Sequence, residues 1–298
     1  MVTRSAKKKY KFTYSEDKPQ FKIPYTVKIS RLIFKILSKF STQFSSNLAS
    51  YLFFRPRRQS FNKYDSEIIS KATLEKINFN NRKIQTYTWG PSSDKKILFI
   101  HGWEGKATSS KHFVLPLVNL GYQIISFDAP AHGKSEGSST DLPEMIKTIK
   151  QISELFGPFD AFIAHSFGTL ASLQAFSGSF SNKKLVLIAS MANPFTAVKG
   201  FQYIFGLNDK VISDLLRKIH NRVGHPLEDL VLSDLSSFSG NEILILHDPK
   251  DMVAPISESL FLKKELLNAK FVTISGPGHH KILSDNRTIE NIVDFFAK

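Results

Sequence analysis

The sequence predicts an α/β protein with a mostly parallel central sheet and helices on both faces. Three observations predict it. From residue 72 onward, short buried-looking runs alternate with helix-length amphipathic segments. The first two runs flank Asn80-Asn81, a hairpin signal, so an antiparallel pair is expected at one edge of the sheet. The length, 298 residues with 42% hydrophobic content, suits one large α/β unit with a sizeable core.

The elements follow in order. Residues 1–24 carry Lys7-Lys8-Lys9, scattered lysines and two prolines without periodicity, and read as a flexible basic arm. Over residues 26–54, Ile29, Leu32, Ile33, Ile36, Leu37, Phe40, Phe44, Leu48 and Leu52 recur at three and four, which is one helical stripe. Lys28, Arg31, Lys35 and Lys39 lie off that stripe, and Pro56 stops the helix. Residues 25–63 therefore form an amphipathic helical extension ahead of a main domain at 64–298. Strands are expected at Thr73–Phe79, Lys83–Trp89, Ile97–Ile100, Gln123–Phe127, Ala161–Ala164, Leu185–Ala189, Glu242–Leu246 and Lys270–Ile274. Helices are expected at Ser109–Leu120, Leu142–Phe156, Gly168–Phe176, Ile256–Leu267 and Asp285–Phe296. Residues 191–238 break the rhythm with helical stretches and no strand, and read as a small helical cap over the carboxyl edge of the sheet. Its aromatics Phe195, Phe201 and Phe205 either line an acyl pocket or hold the cap on the body.

Composition excludes several classes. With no cysteine there is no disulfide scaffold and no Cys-ligated zinc or iron–sulfur site. With 26 Phe against 15 Gly and 13 Pro the chain is neither collagen-like nor disordered. No apolar run reaches the roughly 18 residues of a membrane span. No signal-peptide h-region is visible, which makes the cytoplasm the default compartment, with peripheral attachment at the inner membrane surface as an option. The net charge of +14 is unevenly placed: residues 1–63 hold 15 basic and 2 acidic residues, net +13, and residues 64–298 are near neutral at +1. Any electrostatic partner is therefore sought at the N-terminus. Three readings stand for residues 26–58: an apolar face packed on the body, a basic amphipathic helix on an anionic membrane surface, or a nucleic-acid-binding arm. The last is the weakest, because aromatics are not interleaved for stacking.

The chemistry-bearing residues sit after strands, where such sheets collect function. His165-Ser166-Phe167-Gly168 follows a strand and opens an apolar helix, with small Ala164 two residues before the serine and Gly168 two after. This is the pattern of a nucleophile elbow, in which a tight turn lifts the serine hydroxyl above the sheet. His101-Gly102-Trp103 follows another strand, where a backbone N–H can meet a developing oxyanion. Asp248 and Asp251 follow a third, and His279 and His280 a fourth. The chain order is Ser, Asp, His. Serine needs an imidazole to take its proton, and the imidazole needs a carboxylate to fix its tautomer and stabilise its cation. His101 and His165 are expected to hydrogen-bond near the site or touch substrate, and Asp128 and His132 to be structural. No histidine spacing suits a metal, and no dinucleotide or phosphate-loop fingerprint exists, so no cofactor is expected.

With His101-Gly102-Trp103-Glu104-Gly105, Asp128-Ala129-Pro130-Ala131-His132-Gly133, the Ser166 elbow, the acid loop and Gly278-His279, residues 64–298 resemble the α/β-hydrolase superfamily, in particular a bacterial branch of serine hydrolases of unassigned substrate. Ala164 departs mildly from the usual first glycine of the elbow. The resemblance implies the α/β-hydrolase fold, Ser166 as nucleophile, His279 as base and Asp251 as acid, with Pro255 four residues on. It gives Trp103 and Phe167 as oxyanion N–H donors. It implies a serine esterase, lipase or thioesterase acting on a small acyl ester. Acyl transfer by the same three residues, or a non-catalytic binding or membrane-associated protein on the same fold, are the alternatives.

Overall fold

The computed structural model describes residues 25–298 apart from residue 233. The basic arm expected over 1–24 lies outside the described residues. Helices α1 (Tyr25–Phe40), α2 (Thr42–Phe53) and α3 (Lys63–Ser70) precede the sheet. There follow β1 (Thr73–Phe79), β2 (Arg82–Trp89), β3 (Lys96–Ile100), α4 (Lys111–Asn119), β4 (Gln123–Phe127), α5 (Leu142–Phe156), β5 (Ala161–His165), α6 (Phe167–Ala175) and β6 (Lys184–Ile188). The chain then runs through α7 (Pro194–Phe205), α8 (Asp209–Val223), β7 (Glu242–His247), α9 (Ile256–Glu265), β8 (Lys270–Thr273), α10 (Gly278–Lys281) and α11 (Asn286–Ala297).

The eight strands form one sheet in the order β1-β2-β4-β3-β5-β6-β7-β8. Only β1 with β2 and β2 with β4 pair antiparallel. The hairpin turns on Asn80 and Asn81 at φ +46° and +59°, left-handed values that asparagine tolerates. Period-two alternation divides the strand side chains between two cores. Leu98, Ile100, Phe162, Leu185 and Ile245 face α5, α6, α8 and α9, while Ile97, Phe99, Ile163, Val186 and Leu246 face α4 and α11. The parallel strands are apolar on both sides because both faces are covered. Six carboxyl ends, those of β4, β3, β5, β6, β7 and β8, lie along one edge of the sheet.

The N-terminal helices differ from the sequence expectation in two ways. The single helix over 26–54 breaks at Ser41, whose hydroxyl accepts the Phe44 N–H at 3.2 Å and so caps a new helix. The apolar stripe does not pack as one face. Leu48 and Leu52 pack inward on the core. Ile29, Leu32, Ile33, Ile36, Phe40 and Phe44 point outward, Phe40 at 85% exposure. The docking side of α1 is carried instead by buried Phe34, and that of α2 by buried Ser45, Ser46 and Ala49. These small residues let α2 approach α8, where Ser46 bonds Asp214 and Lys218 donates to Asn47. Among the described residues no helix is long and apolar enough to cross a membrane.

Candidate active site

The chain turns sharply between β5 and α6. Ser166 sits there at φ +55°, ψ −123°, a strained conformation for a residue with a Cβ. The strain is held by contacts on both sides. The Ser166 N–H donates to Ile188 O at 2.9 Å, and its carbonyl accepts the Met191 N–H at 3.2 Å. Two glycines make the approach possible. A Cβ on Gly168 would lie 2.6 Å from His101 O and 2.7 Å from Ile100 O, so only glycine lets α6 press against the end of β3. A Cβ on Gly102 would lie 2.9 Å from the Ser166 Cβ, so the loop after β3 rests directly on the serine.

Three sequence-predicted residues meet here, drawn from the ends of β5, β7 and β8. The Ser166 hydroxyl donates to His279 Nε2 at 2.8 Å, and His279 Nδ1–H donates to Asp251 Oδ2 at 2.6 Å. All three are buried. The second oxygen of Asp251 accepts the N–H groups of Val253 and Ala254 at 2.8 and 2.9 Å, which fixes the plane of the carboxylate. Burial opposes its charge, but the His279 hydrogen bond, the charge of His279 and the Val253 N–H hold its pKa below the ordinary carboxylate value.

The neighbouring acid has different work. Asp248 accepts Gly276 and Gly278 N–H groups at 3.0 and 2.6 Å on one oxygen and the Lys250 N–H at 2.9 Å on the other. It clamps the loop that carries His279 and does not touch the imidazole. His280 points out from the same short helix, and its ring meets the edge of His279 at 5.0 Å.

The backbone N–H groups of Trp103 and Phe167 have no hydrogen-bond partner among the described residues. The next two amides in the loop are occupied: Glu104 N–H donates to His132 Nε2 at 3.1 Å, and Gly105 N–H to Gly102 O at 2.9 Å. The Trp103 ring packs edge-on against Phe167 at 5.6 Å, so the two segments that carry these free amides are in contact.

Asp128 and His132 are structural, as expected, and the expectation of a substrate contact changes for His101. His101 does not reach a substrate: it is fully enclosed, its Nδ1–H donates to Gly102 O at 2.7 Å, and its Nε2 accepts the Ala129 N–H at 3.0 Å. Burial lowers the pKa of His101 and takes that of His132 to about 3, so both brace the site as neutral rings. Asp128 receives the Ala107 and Lys134 N–H groups, both at 2.7 Å, and the Tyr87 hydroxyl at 2.9 Å, as a structural anchor. His165 donates from Nε2 to the His279 carbonyl at 3.0 Å, and burial holds its pKa well below the usual value. It orients the His279 backbone. Phe201 and Phe205 pair with Phe53 of α2 and Phe34 of α1, at 5.3 and 5.6 Å, so these ring contacts hold the N-terminal helices. Phe195 lies on the first turn of α7, half-buried, four residues beyond Met191.

Three supports were not read from the sequence. Arg58 donates to the carbonyls of His132, Gly133, Ser135 and Gly137 and braces the loop after β4. Buried Glu258 accepts the Ala192 N–H at 2.7 Å and the Thr196 hydroxyl, fixing the start of α7. Buried Asp65 pairs with Lys106 at 2.7 Å and Lys111 at 3.0 Å, tying α3 to the segment after Trp103. Only the last left a local trace, the Asn62-x-x-Asp65 capping pattern.

Comparison with known proteins agrees with this architecture. The profile described as the alpha/beta hydrolase family matches residues 97–281, more than half of the chain. No curated protein sequence matches. Among solved structures, mouse alpha/beta hydrolase domain-containing protein 10 superposes with a TM-score of 0.59 at 17% identity, covering 75% of this chain and 96% of its own. The ferulic-acid-bound Est1E of Butyrivibrio proteoclasticus gives 0.57 at 20% identity, covering 75% of this chain and all of its own. An esterase of Pyrococcus furiosus gives 0.57 at 18%, covering 81% and 96%. These identities speak for the fold. Taken with the profile match across the strands and loops that carry Ser166, Asp251 and His279, they place the protein: the chain belongs to the alpha/beta hydrolase family and is a hydrolase enzyme.

Proposed function

We propose that the protein is a serine hydrolase that cleaves a carboxylic ester or thioester through an acyl-enzyme on Ser166. One observation carries this reading: the Ser166–His279–Asp251 relay at 2.8 and 2.6 Å, buried beside two unoccupied backbone N–H groups. Ser166 Oγ attacks the carbonyl carbon while His279 Nε2 takes its proton. The oxygen that becomes negative is held by the Trp103 and Phe167 N–H groups, which have no other hydrogen-bond partner among the described residues. Asp251 stabilises the imidazolium, its own charge secured by the Val253 and Ala254 amides. His279 then protonates the departing alcohol or thiol, the C–O or C–S bond breaks, and the acyl group stays on Ser166. Water, deprotonated by His279, attacks the acyl-enzyme, and its collapse releases the acid and restores the Ser166 hydroxyl. Phe195, half-buried on the first turn of α7, is the residue we assign to contact with the acyl chain.

A fluorophosphonate probe tests the nucleophile. Labelling is expected at Ser166 and absent in Ser166→Ala. A series of p-nitrophenyl esters of rising chain length then measures acyl preference. Labelling elsewhere, or none with the protein folded, would sink the proposal. Labelling at Ser166 without ester turnover would move the acyl acceptor from water to an alcohol or amine.

A further inference from the structure

Helix α1 is gripped on one side and open on the other. Its inner side is settled by buried Phe34 against Phe205 and by Arg31, whose guanidinium donates to the carbonyls of Tyr203 and Ile204 at 2.7 and 2.9 Å. Those carbonyls end α7, where a cation also answers the helix dipole. With 3.6 residues per turn, Ile29, Leu32, Ile33, Ile36 and Phe40 fall on the opposite side, and they are between 43% and 85% exposed. Phe44, at the start of α2, continues the row at 72% exposure. Single exposed apolar residues are ordinary on a protein surface, but a contiguous row of six marks an interaction face.

Charge selects what covers that face. Lys28, Lys35 and Lys39, all exposed, fall along one border of the row, within a stretch from Lys18 to Tyr64 that contains no Asp or Glu. A second copy of the same face would bring two lysine borders together with no carboxylate in α1 or α2 to offset them. An anionic bilayer meets both needs. The acyl boundary takes the apolar row, and the headgroup phosphates take the ammonium groups while the lysine stems lie along the interface. We propose that the outer face of α1, continued by Phe44, lies in the surface of an anionic lipid bilayer and holds the protein there as a peripheral enzyme. The inference stands apart from the acyl-enzyme reading, since it rests on a helix that contributes nothing to the Ser166 site.

The test is sedimentation of the full-length chain with vesicles of phosphatidylcholine alone and of phosphatidylcholine mixed with phosphatidylglycerol. Binding is expected to the mixed vesicles only, and to weaken as salt is raised. Replacing Lys28, Lys35 and Lys39 together with Gln is expected to weaken partition about a hundredfold, at roughly fivefold per lysine. Leu32→Asp with Ile36→Asp is expected to lose binding by about a hundredfold or more, with the melting temperature unchanged because both side chains are exposed. If that pair lowers the melting temperature, Phe40→Ser and the lysine variant carry the test. Three results would overturn the inference: no binding to mixed vesicles, unchanged binding in the apolar variants, or a wild-type dimer that the Asp variant turns into a monomer without any vesicle binding.

Discussion

Arg57 clasps Glu104. Its Nε lies 3.0 and 3.1 Å from the two carboxylate oxygens, its Nη2 2.8 Å from one, and its backbone N–H 3.2 Å from the other. Glu104 itself stands at φ +57°, one residue after Trp103. The linker after α2 thereby holds the loop after β3 that carries Trp103. Glu104 raises the pKa of Arg57, through the hydrogen bond first and the charge second.

That pair predicts a separation of activity from stability. The Arg57 side chain is 86% exposed, so the ion pair contributes at most about 0.5 kcal/mol to folding. Arg57→Ala is expected to leave the melting temperature nearly unchanged and to lower kcat on a p-nitrophenyl ester by roughly three- to tenfold, through a looser Trp103 amide. Equal kcat for the two proteins would mean that the His132 contact to Glu104 holds the loop unaided.

The two aspartates after β7 predict different losses. Asp251→Asn removes the charge that stabilises the imidazolium and is expected to cost about 10⁴-fold in kcat, as is His279→Ala. Asp248→Asn weakens a clamp on the Gly276 and Gly278 amides and is expected to cost about tenfold, with a fall in melting temperature. His280→Ala is expected to be nearly silent. Steady-state kinetics and thermal melts on the four variants decide it, and a dead His280→Ala enzyme would reassign the base.

The loop after β3 predicts the second oxyanion donor. With the Glu104 N–H taken by His132 and the Gly105 N–H by Gly102, Trp103 is the amide left to donate. Trp103→Ala keeps that N–H and is expected to change mainly KM. Trp103→Pro removes it and is expected to cost roughly 10²–10³-fold in kcat at an unchanged melting temperature. Near-normal kcat in a folded Trp103→Pro protein would place the donor elsewhere.

Asp65 predicts a pH dependence of stability. Burial works against its charge, but the Asn62 N–H, Lys106, Lys111 and Thr108 take its pKa from 3.8 to about 2. A depressed carboxylate contributes its full stabilisation above the unfolded pKa, and that stabilisation drains away as pH falls through the folded one. Asp65→Asn is expected to destabilise the protein by about 3 kcal/mol at pH 7, leaving buried Lys106 and half-buried Lys111 without their carboxylate. The gap to wild type is expected to narrow between pH 4 and pH 2. Denaturant titrations across that range measure it, and a constant gap would mean that the loss lies in packing and not in charge.

The strands and most helices were legible because they are set by local period. Leu98 and Ile100 against Ile97 and Phe99 read as two faces of one strand without knowing what covers them, and Asn80-Asn81 reads as a turn wherever it occurs. The elbow was legible for the same reason: small residues at 164 and 168 around Ser166 are a local steric demand. Helix α3 was missed because its eight residues hold too few apolar positions to show a period, and only its capping pair marked it. The break at Ser41 was missed because a serine inside an apolar stripe looks like any polar interruption.

What the sequence determined by itself was therefore the alternation of strands and helices, the order Ser, Asp, His along the chain, and the concentration of positive charge before residue 64. The tertiary structure decided which of two aspartates meets the imidazole, that His101 is walled in, that Phe201 and Phe205 face α1 and α2, and that the apolar row of α1 looks outward. Each of those depends on groups far apart in the chain: Asp251 and His279 are 28 residues apart, and Arg31 and Tyr203 are 172. A helical period shows that one side of α1 is apolar. Which side the fold takes up is settled by a single aromatic that fits, Phe34, and by the guanidinium beside it that reaches the two carbonyls at the end of α7.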